Sequence, residues 1–405
     1  MPMNRRSFIS LAATSAASAA LVSRVFAQIT RTHGTIDGPA LVAATDHDRI
    51  LRLANSFLAQ QPITITASHS PRSPGGLHDY FSQGDYWWPD PKDPSAPYVV
   101  HDGQTNPDNF EDHRTAMRRL SIQVPALVAA YVLTHEERYA KHAALHLLAW
   151  FVTPATRMNP NLEYSQTVIG MKTLRGIGII DTLHLVEVAR AAGFLRHSKA
   201  LPLQQFAAVQ DWFAQYVTWL TTSPRGLSER AQKNNHGACW VLQVAAFSGL
   251  AGNTEQLSLC RDRFKTVLAP NQIAPDGSLP LELKRTKPYS YSIFCLDVLA
   301  DICQSLSTAA DNLWEFKGPN GAGMREAIAF LYPYLKDKSK WPYAHDVQHF
   351  DDFPVRQTNL LFGGLAYNNP DYIALWKTLN PDPTVEEVIR NFPVRQPLLW
   401  VKSPA

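Results

Sequence analysis

Cysteine is scarce in this chain and unpatterned. Cys239, Cys260, Cys295 and Cys303 include no C-x-x-C pair, which excludes the redox and zinc motifs built on that spacing. Buried free thiols are the expectation, with one disulfide left open in an exported protein. There is no Ser–His–Asp signature, no HExxH and no glycine loop built to cradle phosphate. Beyond residue 27 no run is long and apolar enough to span a bilayer. An excess of one charge is missing too. Residues 1–27 hold Arg5, Arg6 and Arg24 and no acid, so the totals of 38 basic and 35 acidic residues become equal once they are removed. A nucleic-acid binder would show a basic surplus, so no nucleic-acid partner is expected.

The chain opens on an export pattern. Asn4-Arg5-Arg6-Ser7-Phe8-Ile9 precedes a modestly apolar stretch, and Val25-Phe26-Ala27 ends it in small residues. The expectation is a twin-arginine signal peptide over 1–27 and a single domain over 28–405. The mature protein would be periplasmic or secreted, with no membrane insertion after cleavage. Its 45% apolar and 18% charged content describes a globular chain with a sizeable core.

Apolar spacing predicts a helix from Leu41 to Gln60, stopped by Pro62. Residues 61–110 then carry eight prolines. A structureless stretch of this length within a compact chain is usually functional or disordered. The block Gly84-Asp85-Tyr86-Trp87-Trp88-Pro89-Asp90-Pro91 is too aromatic for disorder. Tyr86, Trp87 and Trp88 can stack on sugar faces or pin the loop to the body, and at least one Trp is expected only to pin. From Glu111 onward the spacing predicts helix after helix: Asp112–Thr134, Glu136–Phe151, Ser165–Ala192, Leu203–Leu220, Gly237–Leu250, Glu255–Val267, Pro288–Leu306, Met324–Leu335, Gln357–Tyr367 and Asp371–Leu379. Strand signal is confined to short pieces such as 63–66 and 276–280. The class is all-α, a stacked or toroidal array of antiparallel helix pairs with a long aromatic, Pro-rich N-terminal loop.

Two stretches carry candidate chemistry. In Lys233-Asn234-Asn235-His236-Gly237-Ala238-Cys239-Trp240, an Asn caps a helix whose later residues are apolar all round and hence buried. Its polar N-terminus must open onto water or a cavity, and helix N-termini attract anions. The second stretch runs from Glu282 to Phe294. Pro288 suits the first helical position. Tyr291, Phe294, Cys295 and Val298 then form an inward stripe, with Arg285 in the loop before it. Tyr289, two residues from Tyr291, is expected to point toward the loop or an outer subsite. The pairs His142/His146 and His345/His349 have helical spacing but no third ligand placed by the pattern, so no metal is expected.

Gly84-Asp-Tyr-Trp-Trp-Pro-Asp-Pro, Arg175-Gly-Ile-Gly-Ile-Ile-Asp, Asn234-Asn-His-Gly-Ala-Cys-Trp and Asp276-Gly-Ser-Leu-Pro-Leu-Glu-Leu-Lys-Arg-Thr with Tyr291 together resemble the alginate lyase family of polysaccharide lyases. The segments run in the family's order and span most of the mature chain. The resemblance implies an incomplete (α/α) toroid with a cleft across its mouth, and β-elimination of a 1,4-linked polyuronate without a cofactor. It places the catalytic roles on Asn235, His236, Arg285 and Tyr291. Substrate contacts are expected from Tyr86, Trp87, Trp88, Gln166, Asn234, Lys284 and Tyr289. After Glu282-Leu-Lys-Arg this chain departs from the mannuronan-cleaving members, being poorer in arginine and one residue shorter. Its aromatic block belongs with a separate branch. Poly-mannuronate and glucuronan are therefore both candidate substrates.

The chemistry accounts for these residue types. Removing the proton α to a carboxylate leaves a dianion, which amide donors and positive charge stabilise. A base must reach C5–H and an acid O4. A nearby cation favours a phenolate, so Tyr291 beside Arg285 can serve as both, with His236 as assistant or as the base itself. A glycoside hydrolase on a similar toroid is an alternative that needs two carboxylates on one cleft, with Glu282, Asp276 and Asp85 as suppliers. A non-catalytic periplasmic polyuronate-binding protein is another, against which the complete Asn–His–Arg–Tyr set argues. In each reading the partner is an anionic polysaccharide or oligosaccharide.

Overall fold

The computed structural model describes residues 36–171 and 175–402. The signal-peptide expectation for residues 1–27 lies outside the described residues. Local signals start and stop most helices. Asp37 caps Gly38–Phe57 by accepting from the Ala40 amide at 3.0 Å. Asn234 caps Asn235–Ala251, its Oδ1 accepting from the His236 amide at 3.3 Å. Gly252 ends that helix at φ 77°, with its N–H on the Ser248 carbonyl. Asn253 then caps Thr254–Arg263.

These helices form two layers. Asp112–Thr134, Leu185–Phe194, Asn235–Ala251, Pro288–Leu306 and Thr358–Ala366 pack side by side in chain order as the inner ring. Glu137–Phe151, Leu203–Thr222, Thr254–Arg263, Met324–Lys336 and Pro370–Thr378 pack against them from outside. Gly38–Phe57 lies between the ends of the array. It packs on Asp112–Thr134, while Gly38 abuts the Leu365 side chain. This alternation is the toroid expected. Asn235–Ala251 is its central strut, buried on nearly every side because it touches inner and outer helices at once. All four cysteines are buried and free.

The N-terminal loop is folded over the mouth of this ring by two short strand pairs. β1 (Phe81–Gln83) pairs in parallel with a later strand, Tyr164–Thr167, and β2 (Trp87–Trp88) pairs antiparallel with β3 (Val99–Val100). The expected helix Ser165–Ala192 is therefore broken into strand β4 (Tyr164–Thr167), a 3-10 segment Ile177–His184 and the helix Leu185–Phe194. Gln166 at φ 44° and Gly170 at φ 80° explain the break, since left-handed residues cannot continue a right-handed helix. The expected strand near Ile63 is instead a 3-10 turn, Ile65–Ala67, capped by the Thr64 hydroxyl. Two short helices that the periodicity did not mark, Pro224–Arg230 and Glu386–Arg390, carry site residues.

The C-terminal segment is strapped to the ring by one buried carboxylate. Glu187 accepts from the amides of Arg395 (2.9 Å) and Gln396 (2.8 Å) and from the Trp400 indole (3.2 Å). That strap holds the segment containing Arg390 against the mouth.

Candidate active site

A cleft of about 410 Å³ opens at the mouth of the toroid. The N-terminus of the central helix supplies one part of its wall. Asn235 is buried, and its backbone N–H and its side-chain Nδ2 both donate to Glu282, at 2.9 and 2.6 Å. Burial raises the Glu282 pKa against the pull of those two donors. The pairing fixes the carboxamide and leaves one Nδ2 proton unused. A Cβ at Gly237 would collide with the Gln232 carbonyl, so only glycine lets the helix start this close to the preceding loop.

His236 is held from behind. Its Nδ1 lies 2.6 Å from Oε1 of Glu229, a fully buried carboxylate on Pro224–Arg230. Burial alone would lower the imidazole pKa. The Glu229 charge and hydrogen bond outweigh it and hold the pKa above its ordinary value of 6.5. With Nδ1 occupied, Nε2 is the nitrogen left for the cleft, and as an imidazolium it is a donor.

Arg285 and Tyr291 meet face to face. The Arg285 Cζ sits 4.5 Å from the Tyr291 ring centre. Its Nε and Nη2 are forked onto Asp102 at 3.1 and 2.6 Å. The Tyr291 hydroxyl is 2.7 Å from that of Tyr86, which also accepts from Arg390 Nη2 at 2.8 Å. Burial pushes the Tyr291 pKa well above that of a free phenol, and a charge on Tyr86 would push it further, while Arg285 and Arg390 pull it down. Burial wins, so Tyr291 is held as a neutral phenol. The sequence-based expectation of a phenolate favoured by Arg285 is corrected here: the cation is present, but desolvation is the larger effect.

A network of cations and anions forms the rest of the wall. Asp85 is clamped by Arg114 (2.5 Å) and Arg390 (2.7 Å). Asp181 accepts from Arg114 (3.2 Å), Tyr80 (3.1 Å), Ser82 (2.6 Å) and the Gln166 amide (3.0 Å). His184, lowered well below 6.5 by burial and by four surrounding arginines, is a neutral imidazole with its Nδ1 unpartnered. Arg175 lies 4.8 Å over the Trp87 indole, and its Nη1 is buried without a partner.

Of the residues singled out from the sequence, Asn234, Asn235, His236, Arg285, Tyr291, Tyr86, Trp87 and Gln166 line this one cleft. Three proposed substrate contacts do not. Tyr289 is fully buried on the core side, its hydroxyl donating to the Tyr334 carbonyl at 2.9 Å and its ring packed on Trp341 and Phe350. Lys284 is exposed and is not part of the cleft lining. Trp88 pins the loop, with its indole N–H on the Gln104 carbonyl (3.0 Å) and its ring stacked on His101. Glu229, Asp102, Asp181, Arg114 and Arg390 were not singled out as site residues. Of the paired histidines, His142 bonds the Gln60 carbonyl, His345 stacks on Phe350 and His349 pairs with Asp352, while His146 packs edge-on against His142 with its Nε2 buried and unpartnered. Among the described residues, no three His, Cys, Asp or Glu side chains converge as a metal site.

The alginate lyase family model matches residues 64–341, most of the chain. Among solved structures, an alginate lyase from Bacteroides ovatus is similar at 32% identity, with 89% of this chain and 94% of that chain covered and a TM-score of 0.77. Alginate lyase A1-III from Sphingomonas species A1 shares the fold at 17% identity, covering 91% and 98%, with a TM-score of 0.56. A variant of A1-III complexed with a tetrasaccharide aligns at 16% identity over 92% and 98%, with a TM-score of 0.57. No curated protein matches the chain.

Proposed function

The chain belongs to the alginate lyase family, a family of polysaccharide lyases, and from that premise we propose that it cleaves a 1,4-linked polyuronate, poly-mannuronate or glucuronan, by β-elimination. One observation carries the reading. A phenol and an imidazole share the cleft, while each carboxylate lining it is engaged: Asp85 by two arginines, Asp102 by Arg285 and Asp181 by Arg114. A glycoside hydrolase needs two available carboxyl groups. Of its suppliers, Glu282 is spent on Asn235 and Asp276 lies outside the cleft lining.

Mannuronate and glucuronate differ at C2 and share their geometry at C4 and C5. In both, the C5 proton and the C4–O4 bond lie on the same side, so one group can serve both ends of the elimination. Tyr291 is that group. As a phenolate it would meet the Arg285 guanidinium on its face and the Tyr86 hydroxyl at its oxygen. His236 is poorly placed to be the base, because deprotonating it would strip the buried Glu229 of its counter-charge. Its imidazolium instead joins the free Asn235 amide proton in neutralising the substrate carboxylate. The neutral phenol first loses its proton to water through the cleft. The Tyr291 phenolate then takes the C5 proton, the C–H electron pair becomes the C4=C5 bond, C4–O4 breaks, and O4 receives the proton back. The tyrosine ends the cycle as a phenolate.

Export by the twin-arginine route would deliver the folded enzyme to polymer in the periplasm or outside the cell. The decisive experiment incubates the mature protein with poly-mannuronate, poly-guluronate, glucuronan and hyaluronan. A lyase yields an ultraviolet-absorbing unsaturated end on the first or third. New reducing ends without that absorbance would mean hydrolysis, and binding without cleavage would leave only the binding-protein reading.

A further inference from the structure

We propose that Tyr86 and Arg390 are positioning residues for Tyr291, forming a one-way hydrogen-bond chain that turns the Tyr291 proton into the cleft and receives the phenolate once that proton has gone. The proposal rests on the reading of Tyr291 as the acid–base residue.

Donor arithmetic narrows the direction of the chain. A guanidinium donates and never accepts. Arg390 Nη2 stands 2.8 Å from the Tyr86 oxygen, so that oxygen accepts there and must send its single proton elsewhere. The Tyr291 oxygen, 2.7 Å away, is the other partner it has among the described residues. In the proposed chain Tyr86 gives that proton to the Tyr291 oxygen, which accepts it. The Tyr291 proton then has no protein acceptor among the described residues, and the cleft that Tyr291 lines is where it can go.

Arg390 cannot easily turn aside. Its Nη1 is held by Asp85 at 2.7 Å and its Nη2 by Glu387 at 2.8 Å, and Glu387 also binds the buried Lys287 at 2.7 Å. The groups facing Tyr291 thus come from every side. Arg285, backed by Asp102, lies on its ring; Tyr86 and Arg390 stand at its oxygen, backed by Asp85, Glu387 and Lys287; and His236 lies on the same cleft. Among the described residues, only the Tyr86 hydroxyl hydrogen-bonds the phenol oxygen itself. Arg285 supplies charge from the ring face, whereas Tyr86 supplies the hydrogen bond that a phenolate oxygen gains most from.

Tyr86→Phe removes one oxygen and leaves the ring. In the full chain, on whichever polyuronate the wild type cleaves, kcat is expected to fall roughly tenfold or more, the scale of one charge-assisted hydrogen bond, with KM little changed. The pH-rate limb belonging to Tyr291 should move to higher pH. An ultraviolet titration of tyrosinate in the free protein, comparing Tyr86→Phe with Tyr86→Phe/Tyr291→Phe to isolate the Tyr291 signal, should show the same upward displacement. Arg390→Gln should reproduce the Tyr86→Phe pattern and Arg390→Lys restore part of it, with thermal unfolding confirming that each variant is folded. A rise in KM alone would make Tyr86 a substrate contact and overturn the proposal, as would an unchanged kcat with an unmoved titration. If the wild type cleaves no polyuronate, the functional reading fails, yet the tyrosinate titration still decides for or against the chain.

Discussion

Tyr289 and Tyr291 leave the first turn of one helix for different sides of the molecule. The Tyr289 hydroxyl bonds the Tyr334 carbonyl at 2.9 Å within the core, and the Tyr291 hydroxyl meets Tyr86 at 2.7 Å on the cleft. Two positions along a helix amount to a rotation of roughly 200°, so sharing a helix forces the two phenols into unlike surroundings.

Phenylalanine at each position should separate catalysis from folding. Tyr291→Phe is expected to remove at least ~100-fold of kcat, the scale of a lost acid–base group, with KM and the unfolding midpoint little changed. Tyr289→Phe should keep most of the rate and lose about 1 kcal/mol of stability, since it leaves the Tyr334 carbonyl without that donor. Steady-state kinetics paired with thermal unfolding reads both. Reversed behaviour would move the chemistry to Tyr289.

The Glu229–His236 pair should give a pH-dependent stability difference of definite sign. Glu229 holds the folded-state pKa of His236 above its ordinary 6.5. The stabilisation is therefore fully present below the ordinary value and is lost as pH rises through the folded one. Thermal unfolding of wild type and Glu229→Gln across this window should show the gap widest on the acid side and narrowing toward alkaline pH. A gap that widens with pH would mean that His236 is neutral in the fold.

Arg175 should act on binding. Its guanidinium is stacked on Trp87 and keeps a buried, unpartnered Nη1 on the cleft wall, a geometry that lysine cannot copy. Arg175→Lys and Arg175→Ala should each raise KM, roughly tenfold for the alanine if one charge-assisted contact to a uronate carboxylate is lost, with kcat less affected. Unchanged KM at low salt would remove Arg175 from the subsite.

The proposed export route depends on Arg5 and Arg6. Replacing both with lysine should leave the protein in the cytoplasm when cells are fractionated. Unaltered export would assign the leader to another pathway.

Most of the helical array was legible because burial on a ring imposes a 3.6-residue period, as in Asp112–Thr134 and Pro288–Leu306, whose ends the periodicity placed correctly. Ser165–Ala192 misled because its apolar residues are buried by a strand and a 3-10 segment that hide the same kind of side chains without one continuous helix. The site was legible where a motif joins chemistry to a helix start, at Asn235, His236 and Tyr291. Glu229 and Arg390 were not, because each sits on a short helix with too few turns to show a period. Nothing local distinguishes them from solvated charges; Glu229 meets His236 across the turn between two successive helices, and Arg390 meets Asp85 when the ring closes.

The Asp85–Arg390 ion pair joins positions 305 residues apart. A chain emerging from the ribosome has both cleft tyrosines long before it has the guanidinium that orients them. Until residue 390 has been made, Asp85 and Tyr86 lack their shared partner, and the loop that carries them has less to hold it over the mouth. Contacts of such separation form late in folding. The site is therefore complete only late in synthesis, once residue 390 has been made.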